Sequence, residues 1–197
     1  MKATLGDISE IQVGYQSRES IHQYHKGSHY LLQAKDFNNL HQVDWSNLIK
    51  FTPTGSVIKS EIQLGDILFL AKGQDNFAYL VDRSVDHILA TNSFYIIRVD
   101  QAIVLPEYLA WWFNQTPAKK YIQLNRSGSS LPFLSISAIS HFEILIPDIE
   151  TQRKIGEINL LRKKEADLFG LYLSKKSTLI QSICLNAIIE YKGEEDT

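Results

Sequence analysis

Asn125-Arg126-Ser127-Gly128-Ser129-Ser130-Leu131-Pro132-Phe133-Leu134-Ser135-Ile136-Ser137-Ala138-Ile139, followed shortly by Phe142-Glu143-Ile144-Leu145-Ile146-Pro147-Asp148-Ile149-Glu150-Thr151-Gln152, is the stretch around which the chain is organised. A small polar loop, rich in hydrogen-bond donors, leads into an alternating apolar strand, which meets Pro147 and then a long charged helix beginning near Glu150. That order marks the join between a globular head and a helical stem. It predicts an α+β chain, a β-rich head with short helices over residues 1–149, one long C-terminal coiled-coil helix over 150–191, and a tail over 192–197.

Working outward, composition bounds the rest. The 197 residues, 44% hydrophobic and 11% aromatic, suffice for a buried core plus an appendage. A single cysteine, Cys184, excludes an intramolecular disulfide and a cysteine-based zinc cluster, and points to a reducing compartment. No apolar run approaches a membrane span, and the start Met1-Lys2-Ala3-Thr4 is not a signal peptide, so a soluble cytoplasmic protein is expected. A net charge of −2 and a pI near 6.3 do not announce nucleic-acid binding. The charge is uneven, however: from Tyr108 to Phe142 there is no Asp or Glu, while Lys119, Lys120, Arg126 and His141 fall inside, which predicts a positive face around the Ser-Gly loop.

Upstream, Leu5 to Tyr15 reads as a turn and a strand, Tyr30 to Ala34 as a strand, and Gly65-Asp66 as a turn feeding Ile67-Leu68-Phe69-Leu70-Ala71, an apolar strand buried on both faces. Phe77 to Val81 and Phe94 to Val99 supply further strands. The spacing of His22, His25 and His29 invites a metal reading. With no nearby Asp, Glu or Cys to complete a ligand set, and with Gly27-Ser28 interrupting any helix, a solvated loop and no metal site are expected. Pro106 and Glu107 open a helix whose consecutive Trp111, Trp112 and Phe113 cannot share one face, so most of these aromatics belong to the core. A second short helix is expected from Pro117 to about Gln123.

From Glu150 to Tyr191 there is no proline, and the only glycines are Gly156 and Gly170. Apolar residues recur at Ile155, Ile158, Leu161, Leu168, Tyr172, Leu179 and, offset, Ile183, interrupted by Glu165 and Lys175. Such a stripe on a helix of roughly 63 Å needs a second helix, from another copy or a partner, to cover it. These residues are the expected dimerisation face.

Taken in order, Leu5-Gly6-Asp7-Ile8, Gly65-Asp66-Ile67-Leu68, Pro106-Glu107-Tyr108-Leu109, Gly128-Ser129-Ser130-Leu131-Pro132, Ile136-Ser137-Ala138-Ile139 and Ile146-Pro147-Asp148-Ile149-Glu150-Thr151-Gln152 resemble the target recognition domain of type I restriction-modification DNA specificity subunits. The resemblance covers almost the whole chain. It implies an α/β-type head reading one half of a split double-stranded DNA site, a helical spacer, and docking of DNA methyltransferase subunits, with a restriction subunit admitted as a further partner. Family members usually carry two heads and two helices, whereas no internal repeat is found here, so the chain resembles a half-length form. Antiparallel pairing of two copies then restores the usual set, and identical heads imply an inverted-repeat bipartite site. Asp148 stands where a second proline is common.

The residues themselves support a reader and not a catalyst. No phosphate loop, HExxH, nucleophile elbow or Asn-Pro-Pro-aromatic methyltransferase signature is found, so S-adenosylmethionine is expected on the partner methyltransferase. Base reading needs donors and acceptors held on loops. Three loops have that chemistry: Arg126-Ser127-Gly128-Ser129-Ser130; Lys72, Gln74 and Asn76; and Gln16 with Arg18, while Lys119 and Lys120 suit phosphates. The rival reading is a protein-interaction adaptor that dimerises through its C-terminal helix, which the near-neutral charge favours.

Overall fold

Ile67-Leu68-Phe69-Leu70 is buried along its whole length, and its side chains alternate between two cores. Ile67 and Phe69 belong to one apolar cluster, Leu68 and Leu70 to another; Tyr95 and Ile97 against Phe94 and Ile96 divide in the same way. A strand turns successive side chains to opposite faces, so an unbroken apolar run at this spacing requires a covering layer on each side. The protein is described here from a computed structural model covering residues 1–17, 27–55, 57 and 59–195.

In chain order the elements are β1 (Lys2–Thr4), α1 (Leu5–Ile8), β2 (Ser9–Val13), β3 (His29–Leu32), β4 (Ile49–Phe51), β5 (Ile67–Leu70), β6 (Ala78–Leu80), β7 (Ile88–Ala90) and β8 (Phe94–Val99). There follow α2 (Pro106–Phe113), α3 (Thr116–Asn125), β9 (Arg126–Ser127), β10 (Phe133–Leu134), α4 (Ile136–Ser140), β11 (Glu143–Leu145) and α5 (Ile149–Glu195). The central sheet is antiparallel in the order β2-β8-β5-β6. On one face lies the sheet β4-β3-β7, contributing Leu32, Ile88 and Ala90 to the shared core. On the other lie the helices, through Leu5, Ile8, Tyr108, Leu109, Phe113, Ala118, Ile122 and Ile139. Phe113 is fully buried and Trp111 and Trp112 pack partly buried against the same core, as helix-borne aromatics do.

Several polar groups inside the head are paired, although the Trp112 Nε1 and Gln12 Oε1 atoms are buried without a hydrogen-bond partner among the described residues. Arg98 grips Asp66 through Nε at 2.9 Å and Nη2 at 3.0 Å and also donates to the Glu61 carbonyl. Tyr95 donates to the carbonyl of Leu134, Tyr108 to that of Leu145 and Tyr121 to that of Ala138, so three hydroxyls pin the backbone between β10 and β11. The segment Ile136-Ser137-Ala138-Ile139 forms helix α4, capped by the Ser135 hydroxyl, which accepts from Ala138 N.

The junction into α5 is held by two side chains. Asp148 caps the helix, accepting from Thr151 N at 2.9 Å and Thr151 Oγ1 at 2.8 Å, and these bonds hold its carboxyl below the usual carboxylate range. Here lies the reason an aspartate serves where proline is common. Gln152, 1% exposed, accepts from Leu105 N at 2.8 Å and donates to the carbonyls of Ile103 and Pro147 at 3.1 and 2.9 Å. It ties the start of α5 to the chain entering α2 and to the chain leaving β11. The chain forms two compact units, Met1–Gly156 and Glu157–Thr197. The first two turns of α5 thus belong to the head, beyond the boundary at 149 that the proline suggests. In the second unit, Ile158, Leu161, Leu168, Tyr172, Leu179 and Ile183 are all exposed, joined by Phe169, Leu173, Ile180 and Ile188. Ile155 instead packs, partly buried, against the head's core.

Candidate nucleic-acid interface

Antiparallel register decides which loops meet. β2 and β5 each run antiparallel to β8, with Val13 opposite Tyr95 and Leu70 opposite Phe94, so the C-terminal ends of β2 and β5 lie at the N-terminal end of β8. A chain of backbone bonds continues beyond the strands: Asn92 N donates to Tyr15 O, Ala71 N to Ser93 O, and Leu134 N to Ala71 O, each at 2.9 Å. Gln16 follows Tyr15, Lys72 follows Ala71, and the Ser-Gly loop precedes Leu134. Three loops far apart in sequence therefore share one end of the central sheet.

Two of them are bonded to each other. Gly73 N donates to Pro132 O at 2.8 Å, and Arg126 Nη1 donates to the Gln74 carbonyl at 2.9 Å. Gly73 and Gly128 both have positive φ, at 116° and 90°, where other residues are strained. At Gly128 the space is closed as well: a Cβ would lie 2.9 Å from Leu131 O. From the other side His41 stacks on Phe77, with ring centroids 3.9 Å apart, and its Nε2 lies 3.1 Å from Asp75 Oδ2. The result is a braced double loop presenting exposed Gln74, Asp75, Ser127, Ser129 and Ser130, with Lys72 and Arg126 partly buried at its base.

One candidate turns inward. Asn76 is buried, its Nδ2 donates to the Leu70 carbonyl at 2.8 Å, and its Oδ1 faces Arg126; its amide shapes the loop and does not point outward. Gln16 is exposed at the same end of the sheet, whereas Arg18, like His22, His25 and Lys26, lies outside the described residues. Lys119 and Lys120 are exposed on α3, about 9 Å of helix rise before Arg126. The sequence reading passes over Leu131 and Phe133, which are exposed beside the double loop; an exposed aromatic in a Ser-Gly loop is the signal that marks them. Among the described residues, no helix is long and apolar enough to cross a membrane.

Comparison with known proteins places the chain in a family and matches its fold. Over 104 residues the chain is 34% identical to the type I restriction enzyme HindI specificity subunit of Haemophilus influenzae, an alignment covering 51% of this chain and 22% of that protein. Its fold matches a type I restriction-modification S subunit from M. genitalium (TM-score 0.55, 13% identity, 83% of this chain and 39% of the other). It also matches the HsdS subunit of Thermoanaerobacter tengcongensis (TM-score 0.56, 14% identity, 85% of this chain and 38% of the other). The chain thus spans well under half the length of these relatives. Residues 1–159 match the family described as the type I restriction modification DNA specificity domain, and the chain belongs to that family.

Proposed function

We propose that the chain reads one half of a bipartite double-stranded DNA site with its head, is itself non-catalytic, and docks DNA methyltransferase subunits that carry the S-adenosylmethionine. Two copies pair through the exposed apolar face of α5 and read an inverted repeat. The observation that carries this reading is the meeting of two donor-bearing loops, bonded as Gly73 to Pro132 and Arg126 to Gln74, at the end of the central sheet where Gln16 is also exposed. A rigid body presenting Arg, Gln, Ser and backbone N–H groups together is what groove reading and phosphate contact require. Leu131 and Phe133 add apolar surface suited to a thymine methyl group. Lys119 and Lys120 supply sequence-independent attraction to phosphates.

The test is selection of bound or methylated sites from a random DNA pool by the complex reconstituted with its methyltransferase subunits. An inverted repeat with a fixed spacer is expected. An asymmetric bipartite site excludes the homodimer, and the absence of any preferred sequence returns the chain to the adaptor reading.

A further inference from the structure

His29 opens β3, His87 immediately precedes β7, and Glu61 sits in the segment bridged to Leu89. Separated by 26 to 58 positions in sequence, the three are brought together because Tyr30 N donates to His87 O at 2.8 Å and Ile62 N to Ile88 O at 3.0 Å. His29 Nε2 lies 2.9 Å from Glu61 Oε1, and His87 Nδ1 lies 3.5 Å from the same oxygen. One ligand atom from each falls within 4.8 Å of the others, and the two imidazoles meet edge to face at 5.3 Å. We propose that His29, Glu61 and His87 form a binding site for a late first-row divalent cation, with zinc as the first choice.

Chemistry and geometry agree on that class. Two imidazoles and a carboxylate are a ligand set zinc takes, at about 2.0 to 2.2 Å from each atom, and tetrahedral ligands at those lengths stand about 3.3 Å apart. The separations of 2.9 and 3.5 Å from Glu61 Oε1 bracket that value, and the two ring nitrogens lie within 4.8 Å of each other, so side-chain rotation that draws the three atoms to tetrahedral spacing admits the ion. The other nitrogen of the His29 ring, Nδ1, lies 2.8 Å from Ser28 Oγ, the outer partner that fixes a metal-ligating imidazole with its remaining lone pair toward the ion. His87 holds a left-handed backbone, φ 54°, that most side chains avoid. Glu61 is anchored through its carbonyl, which accepts from Arg98. A bound cation ties the start of β3, the approach to β7 and the Glu61 segment together and keeps a fourth position for water. The expectation of no metal site rests on the lack of an acidic residue near His29 in sequence; Glu61 and His87 are neighbours only in the fold.

The proposal is independent of DNA reading, and its test uses no DNA. The full chain, stripped with chelator, is titrated with zinc by calorimetry and with cobalt(II) by visible absorption. A single saturable equivalent is expected, with ligand-field bands of a low-coordinate nitrogen and oxygen site. Glu61→Gln and His87→Ala should each weaken binding by about 100-fold, and Ser28→Ala by about 10-fold. Glu61→Gln keeps a polar partner for His29 and so separates ligation from folding. No saturable binding to the stripped wild-type chain overturns the site, since the cluster is then a plain His29–Glu61 ion pair. Undiminished binding after replacing all three residues overturns it too, by placing the metal elsewhere.

Discussion

Single side chains here fix either a joint or a contact. Gln152 is buried, so Gln152→Ala leaves Leu105 N and the carbonyls of Ile103 and Pro147 short of a partner. A loss of about 2 to 4 kcal/mol in the head's urea unfolding is expected. At the loops, Arg126→Ala should weaken specific DNA binding by about 1 to 3 kcal/mol and relax preference at one base position, whereas Lys119→Ala or Lys120→Ala lowers affinity for all sequences alike. Equal losses on specific and random DNA for Arg126→Ala would make it a phosphate contact. Burial, reinforced by Asp82, pushes the Tyr79 hydroxyl from 10.0 up to about 12. The folded state therefore holds that proton more tightly than the unfolded chain. Its contribution is complete below pH 10.0 and is lost as the pH climbs to about 12, up to about 2 to 3 kcal/mol. Tyr79→Phe should flatten that alkaline decline in unfolding curves.

At the scale of elements, Gly156 and Gly170 of α5 have surroundings that predict opposite outcomes. A Cβ on Gly156 would lie 2.8 Å from Glu107 Cβ at the start of α2, so glycine permits the close approach of two backbones. Nothing lies within 4 Å of the corresponding position at Gly170. In an exposed helix interior, alanine is favoured over glycine by about 0.5 to 1 kcal/mol. Gly170→Ala should raise the helix melting temperature, while Gly156→Ala should lower that of the head, as followed by circular dichroism. Matching changes of the same sign would mean that the Glu107 side of α2 yields easily. The strands obey a similar local logic: β5 and β8 need both layers because both of their faces are apolar, and Phe69→Ala would open a cavity costing about 3 to 5 kcal/mol.

For the whole molecule, the proposed cover of α5 is a second copy of the chain. Its second unit leaves Leu161, Leu168, Phe169, Tyr172, Leu179, Ile180 and Ile183 exposed, and an apolar stripe of that length favours a second helix. Sedimentation should show a dimer for the full chain and a monomer for a chain ending at Gly156; a full-length monomer at tens of micromolar would defeat self-pairing. If the paired helices set the distance between half-sites, adding or removing one heptad between Leu161 and Leu179 shifts that distance by about 10 Å, or roughly three base pairs. The half-site sequences should stay the same while the spacer changes. An unchanged spacer would exclude the helix as the ruler.

What the sequence determined by itself was everything written in short-range periodicity and punctuation. The unbroken apolar runs of β5 and β8, the proline and glutamate opening α2, and the proline-free course of α5 each follow from spacing within a few residues. The placing of Lys72, Gln74 and Arg126 on polar loops follows from the same local composition. The tertiary structure alone decided that those loops meet, because their meeting depends on β2 and β5 both running antiparallel to β8 in one register. It turned Asn76 inward, where the loop's own Leu70 carbonyl needed a donor. It made Ile136–Ser140 a helix through the Ser135 cap and placed Glu61 and His87 beside His29. Backbone propensity is a local property, whereas a side chain's partner is set by strand order, and strand order is fixed only when both faces of the sheet are covered.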